Sequence, residues 1–272
     1  MSRVALVPLL ALLGLLAAVI AISAQSRVER VTAATDSAAS AAAVPASTAT
    51  NLARRQRAAS ERTREAIERR RRARLHRVVR VRAPLSLRSR PGGPVVSSLG
   101  AVTEFGSPGV AAVGARRGRW LGLVTTARPN NTLGWVRRDD PGVGLRRVRY
   151  ALHADLSERR LVLRRRDRVV KRLSVAVGRP GSDTPTGRFA ITDKLDGTRF
   201  SSYYGCCILA LSGTQPKLPP GWSGGNRLAI HGTNSPSTIG QPASAGCLRA
   251  ADADLAVLMR HVPLGTPVFI RR

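Results

Sequence analysis

Acidic residues and lysine are scarce in this chain of 272 residues. Sixteen Asp and Glu residues stand against 45 Lys and Arg residues, and all but three of those 45 are arginine, so the formal net charge is +29. A charge of this size and sign indicates attraction to nucleic acid or to an anionic envelope surface. The arginines are spread along the chain without a nucleic-acid-binding motif, so we predict no nucleic-acid partner.

Aromatic residues and cysteine are also few, at 4% and three residues respectively. The three cysteines do not form a Cys/His cluster with metal-ligand spacing, so we predict no metal site and no cofactor. Cys206 and Cys207 are adjacent, and neighbouring residues on a strand point to opposite faces. We therefore expect both to be buried thiols and Cys247 to be a free one.

Long apolar runs are confined to the N-terminus, where residues 4–22 carry no charge. As a helix these nineteen residues would extend about 28 Å, close to the hydrocarbon thickness of a bilayer. Residues 1–24 are therefore predicted to be a signal peptide or a membrane anchor. Both alternatives imply export to the cell envelope, with the chain either secreted or membrane-anchored.

Residues 25–77 are predicted to be a low-complexity and Arg-rich linker. The first part, to residue 50, is rich in Ala, Ser and Thr, and this composition predicts a flexible spacer. In the second part, Glu61, Glu65 and Glu68 lie among many arginines, which favours a solvated helix with i,i+4 ion pairs.

Short alternating segments separated by Gly, Pro and Asn turns follow over residues 78–143. This spacing predicts a small β-barrel or sandwich. The segments Arg116–Val124 and Leu133–Val136, with Trp120 and Trp135, resemble bacterial SH3-like domains. We expect both tryptophans to belong to the core, because large aromatics dominate burial in small domains.

The stretch 228–250 concentrates the reactive residues. An apolar run ends in His231 and Gly232, and a polar loop then closes on Ser244-Ala245-Gly246-Cys247-Leu248-Arg249. A thiolate is the nucleophile of cysteine chemistry, and a nearby imidazole can take the thiol proton. Gly246 permits a sharp turn that could direct N–H groups at an oxyanion, and Arg249 suits a carboxylate.

These residues resemble the catalytic motif of the YkuD-type L,D-transpeptidases, over about residues 147–271. Thr184-Pro185-Thr186-Gly187 matches a second motif of that family. The resemblance implies that Cys247 is the nucleophile, that His231 is its base, and that the Gly232 carbonyl orients the imidazole. It also implies substrate-binding roles for the following residues: Arg249, Ser244, Gly246 and Tyr204.

The implied catalytic domain is mainly β with one short helix, so the whole chain is expected to be mainly β. We predict strands at 150–155, 159–163, 169–177, 188–192 and 268–270, and a helix over 253–261. Asp252 is predicted to cap that helix.

The function implied by the resemblance is cross-linking of peptidoglycan stem peptides by cysteine-dependent acyl transfer. Three alternatives stay open: an L,D-carboxypeptidase, a sortase-like cysteine transpeptidase and a non-catalytic wall-binding protein. The N-terminal segment implies a membrane as a further partner, and the oligomeric state is left open.

Overall fold

The computed structural model describes residues 46–73 and 75–272. The predicted signal or anchor segment and the spacer up to residue 45 lie outside these described residues. The chain divides into two compact units, residues 1–62 and 63–272. Among the described residues, no helix combines the length and the apolarity needed to cross a membrane.

Helix α1 spans Ala46–Ala73 and confirms the predicted helix in the Arg-rich segment. It begins five residues earlier than expected, so the prediction of a flexible spacer up to residue 50 is wrong at its end. Ala46 and Ala49 favour the earlier start, because alanine is the strongest helix former.

The first part of the second unit is an antiparallel sheet of seven strands in the order β3-β2-β6-β5-β4-β1-β7. Its strands are β1 His76–Val81, β2 Leu85–Arg88, β3 Val95–Leu99, β4 Val110–Arg117, β5 Trp120–Val124, β6 Gly134–Arg137 and β7 Val143–Val148. Alternate residues such as Val79, Val81, Leu85 and Leu87 are buried, which gives the sheet its own core.

Two details of this sheet differ from the sequence prediction. Strand β7 pairs with β1 from Val143 to Val148, so the sheet continues five residues past the predicted domain end at 143. Trp135 is buried as expected, whereas Trp120 is only half-buried and lies beneath the Arg88 guanidinium, 6.0 Å from it.

The second part is a mixed sheet of eight strands in the order β10-β9-β8-β17-β12-β13-β14-β16. The elements that follow β7 are β8 Tyr150–Asp155, β9 Arg160–Arg165, β10 Arg168–Ser174, β11 Val177–Gly178, β12 Gly187–Asp196, β13 Cys207–Thr214, β14 Arg227–His231, β15 Pro242–Ser244, β16 Leu248–Arg249, α2 Asp252–His261 and β17 Pro267–Arg271. The expected strands and the short helix are all present. The mainly β prediction is thus confirmed for the described residues.

Packing around this sheet fixes the region that contains the motif. Leu228, Ile230 and Leu248 are fully buried in the same hydrophobic cluster as Leu255 and Leu258 of α2. The short strands β11 and β15 pair in parallel and tie the loop after His231 to the segment before the Thr-Pro-Thr-Gly motif. The strands that carry the motif therefore stand on a rigid apolar base.

The two sheets also contact each other directly. Ala112 and Val124 of the first sheet pack against Ala190 of the second. The Arg188 guanidinium donates hydrogen bonds of 2.8 Å to the carbonyl oxygens of Val113 and Gly114. The first sheet is thereby held against strand β12 of the second.

Candidate active site

Parallel pairing of β14 with β16 brings together the two ends of the reactive stretch. Ile230 lies opposite Leu248, and His231 lies opposite Arg249. Cys247 immediately precedes β16 and His231 ends β14, so the loop between them returns the thiol to the strand that carries the imidazole. Residues far apart in the motif thus become neighbours on two adjacent strands.

The His231 imidazole is almost completely buried, and its two nitrogens have different environments. Nδ1 lies 2.6 Å from the Gly232 carbonyl oxygen, which accepts its hydrogen bond when Nδ1 carries the proton. Nε2 is buried with no hydrogen-bond partner among the described residues. The pKa of His231 is lowered to about 4, mainly by burial and also by the nearby Arg249 charge, whereas the Gly232 hydrogen bond acts in the opposite direction.

The Cys247 thiol is enclosed, although the residue as a whole is half-buried. Its pKa is raised to about 11 because the effect of burial outweighs the opposing effects of the Ala229 backbone and the Arg249 charge. The sulfur lies 3.9 Å from the Arg227 carbonyl oxygen. At neutral pH both the thiol and the imidazole are therefore uncharged in the resting site.

The turn before the thiol is held by hydrogen bonds that use the predicted Ser244 and Gly246. The Ser244 hydroxyl is fully buried; it donates to the Cys247 carbonyl oxygen at 2.6 Å and accepts from the Gly246 N–H at 3.0 Å. Gly246 has φ +119°, and an added Cβ would lie 1.9 Å from the Gln215 amide nitrogen. Gln215 itself donates to the Ala245 carbonyl oxygen and so clamps the turn.

Arg249 is buried beside the reactive pair without a carboxylate partner. Its guanidinium donates a hydrogen bond to the Tyr203 hydroxyl, and its carbon lies 4.6 Å from the centre of the Tyr203 ring. Its Nε has no partner among the described residues. The two carboxylates nearest in sequence do not pair with it: Asp254 pairs with Lys171, and Asp252 accepts hydrogen bonds from backbone N–H groups.

Two adjacent tyrosines cover the imidazole. They sit on a 3-10 turn over Ser202–Tyr204, with the Tyr204 ring 4.9 Å and the Tyr203 ring 5.6 Å from the imidazole ring. Burial and the neighbouring Cys247 raise the pKa of Tyr204, so its phenol is neutral. Trp222 reaches the outer side of Tyr203, 6.0 Å between ring centres. The predicted Tyr204 is thus placed at the site, and Tyr203, whose contact with Arg249 the sequence did not reveal, joins it.

Asp252 has a different task from the predicted helix cap. The cap position is Ala251, and the Asp252 carboxylate accepts hydrogen bonds from the backbone N–H groups of Cys206 at 2.9 Å and Thr233 at 3.2 Å. It therefore joins the start of α2 to the loop after His231. An added Cβ at Gly232 would lie 2.1 Å from this carboxylate, so only glycine at this position lets the carboxylate lie so close to the backbone.

Cys206 and Cys207 form a disulfide, so the expectation of two free thiols is wrong. The argument from strand geometry fails because the strand begins only at Cys207, and Gly205 before the pair adopts φ +59°. Cys206 is therefore outside the regular pleat. Cys247 is the one free thiol of the chain's three cysteines, as predicted.

Comparison with known proteins assigns the fold that carries this site. The sequence pattern of the YkuD family, the L,D-transpeptidase catalytic domain, matches residues 149–270. A putative L,D-transpeptidase YkuD of Bacillus subtilis is 33% identical over 127 residues, which cover 46% of this chain and 68% of that protein. The chain belongs to the YkuD family of L,D-transpeptidases. Its catalytic domain is that of an acyltransferase.

Two further proteins are similar to this L,D-transpeptidase. The putative L,D-transpeptidase YkuD of Bacillus licheniformis is 36% identical over 125 residues, covering 45% of this chain and 66% of that protein. The solved L,D-transpeptidase from Mycobacterium smegmatis is 16% identical with a TM-score of 0.39, covering 71% of this chain and 99% of that one. The chain thus spans about two thirds of the length of the two Bacillus relatives.

Proposed function

We propose that this L,D-transpeptidase cross-links peptidoglycan stem peptides through a thioester on Cys247. The observation that carries the proposal is the buried, unpartnered Nε2 of His231, with Nδ1 held by the Gly232 carbonyl. In that tautomer Nε2 presents a lone pair, so the imidazole is a base that needs no prior deprotonation at neutral pH.

In the proposed acylation, the Cys247 sulfur attacks the carbonyl that links the L-centre of a diamino acid to the terminal D-residue of a tetrapeptide stem. His231 Nε2 takes the thiol proton as the carbon–sulfur bond forms. When the tetrahedral intermediate collapses, the carbon–nitrogen bond breaks and the imidazolium returns that proton to the departing amine. A thioester and a free D-amino acid result.

In the second half-reaction, the amine of a neighbouring stem attacks the thioester carbonyl. His231 Nε2 takes one proton from that amine, the carbon–sulfur bond breaks, and the sulfur recovers a proton from the imidazolium. The cross-link is an amide, and the enzyme returns to its neutral thiol and imidazole. The high pKa of the Cys247 thiol supports concerted proton transfer over a resting thiolate.

The oxyanion formed in both steps requires a hydrogen-bond donor. The Gly246 N–H is already used by the Ser244 hydroxyl, which leaves the Cys247 N–H as the donor that we propose. Ser244 and Gly246, predicted to bind substrate, are proposed to shape the turn that directs this N–H at the oxyanion.

Arg249 is proposed to bind a carboxylate of the stem peptide. A buried guanidinium without a carboxylate partner carries an unfavourable desolvation cost, which an incoming carboxylate would relieve. The planar fork of arginine can hold such a group by two hydrogen bonds.

We also propose a location and a domain organisation that agree with this function. A substrate in the wall requires an exported protein at the cell envelope, secreted or anchored through residues 1–24. We retain the SH3-like assignment for the first sheet, from about residue 78, and place the start of the catalytic domain after β7.

A direct test is to incubate the purified protein with tetrapeptide muropeptides and to analyse the products by mass spectrometry. We expect cross-linked dimers that have lost one D-residue, and a transient tripeptide adduct on the peptide that contains Cys247. Cys247→Ala should abolish both products. His231→Gln should leave the fold intact and lower turnover by roughly 100-fold or more.

Two results would reject the proposal. Tripeptide products without any dimer would indicate an L,D-carboxypeptidase, in which water resolves the thioester. An active Cys247→Ala variant would exclude the covalent mechanism altogether. A Cys206→Ser/Cys207→Ser variant serves as the matched control and should keep the adduct on Cys247.

A further inference from the structure

A groove of about 820 Å³ lies where the first sheet meets the second, and the residues around Cys247 do not line it. One wall comes from the first sheet and from the junction between β7 and β8. It carries five arginines, namely Arg80, Arg82, Arg146, Arg147 and Arg149.

The opposite wall comes from the catalytic domain. Lys194 of β12 and Arg260 of α2 add two more permanent cations, and His261 lies beside them. Between the walls, apolar residues such as Val110 and Val262 form the floor. Four separate segments of the chain thus direct cationic side chains at one concave surface.

No carboxylate lines this groove. None of its seven cations contributes to the ion pairs that the described residues form. The surface around His153, by contrast, includes a carboxylate, Asp155, which pairs with Arg271 at 3.2 Å. Seven like charges gathered without a carboxylate repel one another, so this groove favours an anionic occupant.

We propose that this groove binds a linear chain of closely spaced phosphate groups. Several cations in one channel need several negative charges at short intervals, which a phosphate polymer supplies. Arginine binds phosphate with two parallel hydrogen bonds, and each phosphate that is bound releases a condensed counterion. The site is independent of the chemistry at Cys247.

The shape and composition of the groove favour such a chain over other polyanions. A membrane presents a flat surface of headgroups, which cannot enter a concave site, whereas an extended polymer can. Single-stranded nucleic acid is held by aromatic rings on which the bases stack. The lining contains two aromatic rings, Tyr150 and His261, which are in contact with each other, and Tyr150 also contacts Arg165.

The test is a binding titration of the full-length protein, in neutral detergent, with end-labelled inorganic polyphosphate at several salt concentrations. The groove variant carries Arg146→Gln, Arg149→Gln and Arg260→Gln. Its matched control carries Arg164→Gln, Arg172→Gln and Arg271→Gln, from the surface around His153. Both variants lose the same net charge, so a difference between them reports location rather than total charge.

For the groove variant we expect the slope of log affinity against log salt to flatten by about 2, and the affinity at ~0.15 M salt to fall roughly 50-fold. The control variant should stay within about threefold of the unaltered protein. Cys247 alkylation should be unchanged in both, which verifies the fold. Equal losses in the two variants would overturn the proposal, since net charge alone would explain them. Tighter groove binding of a single-stranded oligonucleotide than of polyphosphate would overturn it as well.

Discussion

The Cys247 thiol and the His231 imidazole are both neutral at rest because both are buried. Their pKa values are displaced in opposite directions, to about 11 for the thiol and to about 4 for the imidazole. Desolvation always favours the uncharged form, which is the protonated thiol and the deprotonated imidazole. A thiolate–imidazolium pair is therefore not the resting state, and in the proposed mechanism the thiolate forms only when the proton moves to Nε2.

This charge state predicts how alkylation of Cys247 depends on pH. A raised thiol pKa means less thiolate at neutral pH, so a small neutral alkylating reagent should react at pH 7 about 20-fold more slowly than with free cysteine, after allowance for the higher nucleophilicity of a more basic thiolate. The rate should keep rising beyond pH 9. Mass spectrometry with peptide mapping measures the rate and should locate the adduct on Cys247. A plateau below pH 8 would contradict the neutral pair.

Arg249 provides the second prediction at this scale. Arg249→Lys retains the positive charge but loses the planar guanidinium, which can donate two parallel hydrogen bonds and lies over the Tyr203 ring. We expect a loss of roughly 1–3 kcal/mol in transition-state stabilisation, measured as turnover of muropeptides, and near-normal alkylation of Cys247. Tyr203→Phe is the control, because it removes only the hydroxyl that accepts from Arg249. If alkylation fell as much as turnover, Arg249 would act on the thiol instead.

The turn between β15 and β16 is the element on which the orientation of the thiol depends. Gly246 adopts φ +119°, and Gln215 fills the space where a Cβ would lie. Gly240 is also at positive φ, +83°, but a Cβ there would meet no atom within 4 Å. A substitution at Gly240 therefore introduces backbone strain alone, whereas one at Gly246 introduces backbone strain and steric overlap with Gln215.

Alanine substitutions at these two glycines should therefore have different effects. Gly240→Ala should lower the free energy of unfolding by about 1–2 kcal/mol, the usual cost of a left-handed residue. Gly246→Ala should cost a further 1–3 kcal/mol, because the Gln215 side chain must move, and turnover should be lost with the turn geometry. Urea denaturation measures the stabilities. Equal losses in the free energy of unfolding at the two positions would show that the Gln215 side chain can move without a measurable cost.

Elements were easier to predict from sequence than the contacts between them. The strands and the short helix follow from local apolar patterns, and the motif residues from their spacing. The Asp252 carboxylate was misassigned because its partners are distant in sequence, and the disulfide was missed because the strand begins only at Cys207. Asp252 sits at a helix start, where capping is the local expectation, yet its partners lie 46 and 19 positions away. Gly205 adopts φ +59° just before the pair, so Cys206 stands outside the regular strand.

At the scale of the whole molecule, the loop between β3 and β4 connects the first sheet to the candidate site. Glu104 pairs with Arg227, and the adjacent Phe105 contacts both the Arg227 guanidinium and the Phe200 ring. Arg227 begins the strand that ends in His231, and its carbonyl oxygen faces the Cys247 sulfur at 3.9 Å. Thr103 adds a hydrogen bond of 2.5 Å to the buried Asp193. No sequence pattern predicts this contact, because Glu104 and Phe105 belong to a loop of the first sheet and Arg227 to the second.

The link predicts that a residue outside the catalytic domain affects turnover. Glu104→Gln removes the charge that holds the Arg227 side chain, whose other hydrogen bonds, to Thr192 and Leu211, are longer at 3.3 Å. A partly exposed pair contributes only about 0.2–1 kcal/mol to stability, so the protein should remain folded. The Arg227 backbone beside the sulfur should nevertheless shift, and muropeptide turnover should fall roughly 2–10-fold, since small misplacements at a reacting centre are costly.

The comparison that decides this prediction uses Glu158→Gln. Glu158 pairs with Arg160 on an exposed turn of the catalytic domain, so the substitution removes the same charge from a similar pair far along the chain from the reactive stretch. Its turnover should match that of the unaltered protein, and its unfolding midpoint should resemble that of Glu104→Gln. Indistinguishable turnover in the two variants would mean that this contact with the first sheet does not affect turnover by the catalytic domain. A selective loss in Glu104→Gln would mean that the first sheet helps to position the wall against which the nucleophile lies.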